Sequence, residues 1–312
     1  MKINLDLPAE LEPFRQEIES SEKPVIKITY QRKATDFWSS KFGGVPYLPK
    51  GYDFPKDSDG KYMHLLAQLN FEEIFAQVPY LAPFPKQGIL QFYVSNNLGW
   101  YGMDPEKLDN QKDFKILYFY KIDKNNCQTN FGFLLDLNET YSTLNNQKFS
   151  GLQFVDENNY PIDYPFPDYI CEHYYSPLQH QDVNNSQECL ALQFSFDNAW
   201  VNPADYQFDT FLGEQKLQNY LDLISEDDNR LFEWYSANIY ENHHKIGGYG
   251  YFAQTDPREY SPQYKDHKVV LLHMISDDEI CWGDCGLGNF LIRAEDLEKL
   301  DFSQVIYNYD CS

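Results

Sequence analysis

The chain has 312 residues, enough for one large domain or two ordinary ones, because a single core stops growing at around 250–300 residues. Apolar residues make up 42% and aromatics 17%, with 25 Tyr and 23 Phe, a composition that excludes a disordered chain. Against 25 Lys and Arg stand 48 Asp and Glu, a formal charge of −23, which disfavours nucleic-acid phosphates and anionic membrane surfaces and leaves a basic protein or a small ligand as the expected partner.

In chain order, Pro8 to Ser20 reads as a helix, with proline in its first turn and Leu11, Phe14 and Ile18 on one face. PVIKITY (Pro24 to Tyr30) alternates β-branched residues as a strand does. Met63 to Phe71 is a second strand, and Asn70 is placed to cap a short helix with an acidic first turn. Gly88 to Ser95, Phe114 to Tyr120, Phe131 to Leu137 and Cys189 to Phe196 are further strands, separated by Asn-, Asp- and Pro-rich connectors. Tyr160 to Ile170, with three prolines, forbids a regular helix. Glu214 to Ala237 turns helical, with Leu217, Tyr220, Leu221 and Ile224 spaced three and four apart and Ser225 and Asp228 as caps. Lys268 to Ser276 and Gly288 to Arg293 are strands, AEDLEKLDFS is a short acidic helix, and QVIYNYD is a last strand.

No apolar run approaches the roughly 18 residues of a membrane helix, and the opening MKINLDLPAE has no apolar signal core. The expectation is a cytoplasmic protein with its six cysteines as free thiols.

Two stretches match in character: Phe42-Gly43-Gly44 and Ile246-Gly247-Gly248, each followed by aromatics and turn residues and then by a strand. HLLAQLN pairs with VLLHMIS and GILQFYV with GNFLIRA in the same order, as in a diverged internal duplication. Strands scattered among short helices, without regular alternation, then give an α+β fold. Its two related β-rich halves, 1–188 and 189–312, are expected to pack as one compact unit around a cleft lined by the Gly-Gly loops and the Trp282 turn.

Tandem glycines serve tight turns or backbone that another group approaches closely, so Gly43, Gly44, Gly247 and Gly248 are binding candidates as well as turn formers. Trp282 beside Asp284 offers a flat apolar wall and a directed acceptor, and Gln68 and Gln254 offer amides close to the same motifs. The competing use of Asp284 is to cap its own turn. GDCGLG opens a strand rather than a helix, so a phosphate site is not expected.

Cys281 and Cys285 with His273 could form a thiol–imidazole pair, the basis of an alternative hydrolase or transferase reading that uses a thiol or carboxylate near that turn. The same residues, with Cys171, His173, His243 and His244, lack the second ligand pair of a structural zinc site. No metal and no cofactor is expected.

FGGVPYLP, MHLLAQLNFEEI, GILQFYV, IGGYGYFAQTDPR, VVLLHMIS, CWGDCGLGNFLI and the closing EDLEKLDFSQVIYNYDC together resemble the YwqG family of bacterial cytoplasmic proteins of unknown function, over nearly the whole chain. The resemblance implies an α+β fold of two similar halves, brings no catalytic residue to carry over, and through neighbouring toxin genes implies an immunity-like or other non-enzymatic binding role.

Overall fold

The computed structural model describes residues 5, 7, 9–95, 100–131, 148–150, 153–155, 188–213 and 243–311. The expected strand over Phe131–Leu137 lies almost wholly outside them, and the proline-rich Tyr160–Ile170 and the helices over Glu214–Ala237 lie wholly outside.

The described residues hold twelve strands: β1 (Lys23–Ala34), β2 (Lys41–Phe42), β3 (His64–Asn70), β4 (Ile89–Val94), β5 (Phe114–Phe119), β6 (Lys148–Ser150), β7 (Gln153–Val155), β8 (Glu188–Ala199), β9 (His244–Gly247), β10 (Val269–Ile275), β11 (Leu287–Ile292) and β12 (Ile306–Asp310). Ten form one antiparallel sheet in the order β12-β11-β10-β9-β1-β8-β2-β3-β4-β5, and β6 and β7 pair separately. The helices are short: α1 (Arg15–Ser20), α2 (Phe71–Gln77), α3 (Gln207–Leu212), α4 (Pro257–Tyr260) and α5 (Ala294–Glu298).

This corrects the expected class. The fold is mainly β, a single curled half-barrel sheet, and not an α+β pair of packed halves. The long central strands β1 and β8 pair over twelve registered positions from Lys23↔Ala199 to Ala34↔Glu188, so the backbone hydrogen-bond ladder runs through the middle of the molecule with no seam. One arm of the sheet, β2 to β5, extends from β8, and the other, β9 to β12, extends from β1.

The curl brings the inner faces of the arms together. Phe92 on β4 meets Phe290 on β11 edge to face at 5.0 Å, and Phe114 on β5 meets Tyr307 on β12 at 5.4 Å. Phe290 stacks on Tyr307 at 4.4 Å. Strand alternation makes this possible: Leu90, Phe92 and Val94 point inward while Ile89, Gln91 and Tyr93 point outward. The segment between β4 and β5 closes the gap between the sheet edges, with Tyr307 N–H donating to Leu108 O and Gln111 Nε2 to Phe302 O. Aromatic rings therefore fill the space between the inner faces of the arms.

Outside the central pair, Val25, Ala199 and Tyr249 pack beneath α1 and α3 in a smaller cluster. The expected amino-terminal helix divides there: Ala9–Phe14, with Pro13 inside it, winds as a 3₁₀ turn before α1 begins. The Asn70 cap forms, its side chain accepting from Glu72 N–H at 3.0 Å.

Candidate functional site

The outer face of each arm carries a row of polar side chains that the loops bury. In the first arm Lys41, Gln68 and Gln91 stand opposite one another across β2, β3 and β4, which places them on one face. All three are at most 1% exposed. Gln68 Oε1 accepts from Tyr47 N–H at 2.8 Å and from Gln91 Nε2 at 2.7 Å, while its Nε2 donates to Phe37 O and Ser39 O, both at 2.7 Å. Gln91 Nε2 also donates to Tyr47 O at 2.6 Å, and its Oε1 accepts from Tyr93 OH at 2.9 Å. Lys41 Nζ donates to the carbonyls of Asp36 and Val45, and burial lowers its pKa to about 8. Every polar end in this row is engaged, and its chemistry is that of a clamp on the 36–47 segment.

The second arm repeats the arrangement with a different outcome. Lys245, His273, Asn289 and Asn308 stand opposite one another across β9 to β12, and Asp310 follows on the same face of β12. Asn289 Nδ2 donates to Tyr251 O at 2.7 Å, which fixes its amide so that Oδ1 faces His273 Nδ1 at 2.7 Å. Nδ1 of His273 is then the protonated nitrogen, and Nε2 carries a bare lone pair. Burial first, and the nearby Lys245 second, push the His273 pKa down to about 3, so the ring is neutral. Asp310 Oδ2 accepts from Gln254 N–H at 2.9 Å and the Ala253 N–H also favours the charged carboxylate, yet burial outweighs both and raises the carboxyl to about 6. His273 Nε2, Asn308 Nδ2 and Asp310 Oδ1 are buried with no hydrogen-bond partner from the protein. The 249–256 segment covers them.

The residues singled out from sequence fall in several places. Gly43, Gly44, Gly247 and Gly248 all have φ between 65° and 77° and follow or end the strands that flank the central pair. A Cβ on Gly44 would stand 2.9 Å from Cys189 Cβ, and one on Gly247 would stand 2.8 Å from Leu81 Cδ2 and 3.0 Å from Pro24 O. The group that approaches these glycines closely is the chain itself. Gln68 and Gln254 join the two polar rows, Gln254 as an exposed part of the covering segment. Trp282 is wholly buried on the inner face with its ring over Gly288, whereas Asp284 is exposed.

The structure does not bring the thiols to His273. Cys281 Sγ donates to Gly283 O at 3.2 Å, Cys285 is exposed, and the imidazole bonds through Nδ1 to Asn289. Nor is His244 a base in waiting: its Nε2 donates to Asp277 Oδ2 at 2.9 Å and its Nδ1 accepts from Ile275 N–H at 3.2 Å, so both ring nitrogens are occupied. Tyr30 OH donates to the same Asp277 oxygen at 2.6 Å. Burial acts to raise the Asp277 carboxyl, but the bonds from His244 and Tyr30 hold it below its ordinary range. Among the described residues no group of three or more His, Cys, Asp or Glu is arranged to hold a metal ion, and no helix is long and apolar enough to cross a membrane. Cys171 and His173 lie outside the described residues.

One cluster escaped the sequence reading altogether. Arg258, Asp205 and Asp256 are at most 1% exposed and form a closed ion network, with Arg258 Nη2 at 2.9 Å from Asp205 and 2.7 Å from Asp256. Asp205 also accepts from Gly250 N–H and from Gln207, and Arg258 Nη1 donates to His267 O. The network ties α3, α4 and the covering segment together. Its only trace in the sequence is TDPR, an N-cap Asp256 ahead of Pro257.

A curled antiparallel sheet with covered polar rows on its outer face defines a mainly-β domain whose buried polar groups come from strands rather than from loops. The sequence profile of the domain of unknown function DUF1963 matches residues 40–311, and the chain belongs to that family. A comparison with curated proteins finds no match.

Proposed function

We propose that the protein is a non-enzymatic binding protein that engages a basic protein partner through its acidic surface. The supporting observation is the use of its cations. Of five arginines four are described, and each is held by the chain's own acids: Arg15 by Glu12 and Glu19, Arg32 by Glu279, Arg258 by Asp205 and Asp256, and Arg293 by Asp296. Lys27 pairs with Asp197, and Lys41 and Lys245 are buried. Lysines such as Lys33, Lys50 and Lys86 are also exposed, but at a formal charge of −23 exposed acids such as Asp53, Asp59, Glu106, Asp278, Asp284 and Glu298 set the field around the molecule.

In this reading the protein works in the cytoplasm, where Cys127, Cys189, Cys281, Cys285 and Cys311 persist as the free thiols they are here. An immunity-like role, implied by the YwqG resemblance, is one form such binding takes. The test is capture from a lysate on immobilised protein at about 50 mM and about 500 mM salt, followed by association rates of the purified partner across that range. Screening at the higher salt shortens the reach of the field to a few ångströms. Basic proteins held only at low salt, with association slowing as salt rises, are expected. Capture that ignores salt, or that recovers no basic protein, overturns the reading.

A further inference from the structure

We propose that the outer face of the second arm, between β10–β12 and the covering 249–256 segment, binds a small molecule that presents N–H donors together with a carbonyl oxygen. This does not depend on a basic protein partner. It rests on three buried polar atoms that end on one face: His273 Nε2, Asn308 Nδ2 and Asp310 Oδ1. A buried polar atom left without a partner is costly, and folded chains carry few of them. The first arm shows that this sheet can saturate such a row, since Lys41, Gln68 and Gln91 are fully engaged there.

The chemistry of the three atoms sets the ligand class. His273 is held with its proton on Nδ1, so Nε2 can only accept. Asp310 is held at Oδ2 by Gln254 N–H, so Oδ1 faces away from that bond as a second acceptor. Asn308 Nδ2 is the one donor. Two acceptors, one of them a carboxyl, call for a ligand rich in N–H, and they oppose an anion such as phosphate. The donor amide calls for an oxygen on the same molecule. Neighbouring strands lie about 4.8 Å apart, so the row from His273 to Asn308 spans roughly 10 Å, the reach of a small molecule rather than of a macromolecule. Half-buried Tyr251, whose phenol is raised by burial first and by Asp310 second, stands at the edge of the covered site.

The covering segment is anchored at both ends, by Tyr249 OH on Ser21 O, by Gly250 on Asp205 and Asn202, and by Asp256 on Arg258, so such a molecule enters only where the 251–254 stretch parts from the row. Tyr251 O accepts from Asn289, Gln254 N–H donates to Asp310, and Gln254 Nε2 donates to Cys311 O. Gly247 and Gly248 precede it and permit the backbone to turn there.

The experiment uses glycinamide and methylammonium as donor probes and acetate as the anionic control. Thermal melting is read together with the ¹⁵N resonance of His273 Nε2, which reports directly whether that lone pair accepts a hydrogen bond. Glycinamide is expected to raise the melting temperature saturably and to move the Nε2 resonance, methylammonium to do so more weakly, and acetate to do neither. Asp310→Asn and His273→Phe, each still melting cooperatively, are expected to weaken glycinamide at least tenfold. Response to neither amine probe, or a response that both variants keep, would mean enclosed water at most and overturns the proposal. Salt-dependent capture of a basic partner is unaffected by either variant, so the two ideas fail separately.

Discussion

Arg258 and Asp205, 53 residues apart in sequence, meet at 2.9 Å with neither side chain exposed to solvent. Burial alone would lower the arginine pKa, but Asp205 and Asp256 hold it above its ordinary value, so the guanidinium stays charged inside the protein. Removing one member of a buried ion network strands the others, which costs about 3–5 kcal/mol. Arg258→Met should therefore lose that much in urea unfolding. Asp205→Asn should lose less, because its single amide oxygen keeps either the Gln207 bonds made at Oδ1 or the Gly250 bond made at Oδ2 while Asp256 keeps the guanidinium paired. A loss below about 1 kcal/mol for Arg258→Met would show that solvent reaches the network.

Two glycines separate backbone strain from close packing. Gly44 and Gly51 have φ of 69° and 85°, a region that costs other residues about 1–2 kcal/mol. An added Cβ at Gly51 meets nothing within 4 Å, whereas one at Gly44 lies 2.9 Å from Cys189 Cβ. Gly51→Ala should lose the strain alone. Gly44→Ala should lose about 1–3 kcal/mol more, the usual cost of overfilling a packed site. Equal losses in chemical denaturation would mean that β8 yields freely at Cys189.

The contrast marks what was legible in the chain. Strands such as β3, β4, β10 and β11 announce themselves as short apolar runs between turn residues, and their places were foreseen. β2 and β9 were not, because two and four residues are too few to show a period. Their absence hid the ladder that joins both arms to the central pair, and with it the mainly-β class. Polarity misled in the same way. Lys41, Lys245 and His273 look like solvent-facing positions, and only the segments folded over the sheet, far from them in sequence, bury them. Gln68 was noticed beside its motif, but its partners Phe37, Ser39, Tyr47 and Gln91 are a property of the tertiary fold.

Two buried titrating groups should respond to pH in opposite senses. Asp310, raised to about 6 by burial, binds its proton more tightly in the folded state; its contribution is present at about pH 4 and is lost as pH rises through 6. Asp310→Asn removes that loss, so the variant should gain on the wild type from pH 4 to pH 7, reaching about 2–3 kcal/mol. His64, lowered to about 4 by burial, contributes above the ordinary histidine value of about 6.5 and loses that contribution as pH falls toward 4. His64→Gln should flatten the acid limb over that range. Melting curves at half-unit pH steps check both, and parallel profiles for wild type and Asp310→Asn would show that the carboxyl titrates normally.

Trp282 tests the inner core, where size and polarity pull in different directions. Its ring is fully buried against Tyr101, Tyr307 and Tyr309, and lies where a Cβ on Gly288 would be 2.6 Å from it. Its Nε1 has no partner. Trp282→Phe gives up ring contacts and opens a small cavity, but it also removes a buried donor whose unmet hydrogen bond costs about 1–3 kcal/mol. The terms offset, so the net loss should stay below about 2 kcal/mol. Phe290→Ala, which removes a ring stacked on Tyr307 at 4.4 Å and opposed by Phe92 with nothing polar to relieve, should cost about 3–5 kcal/mol. If Trp282→Phe proves as costly as Phe290→Ala, Nε1 has a hydrogen-bond partner in solution, and ¹⁵N exchange at that indole would locate it.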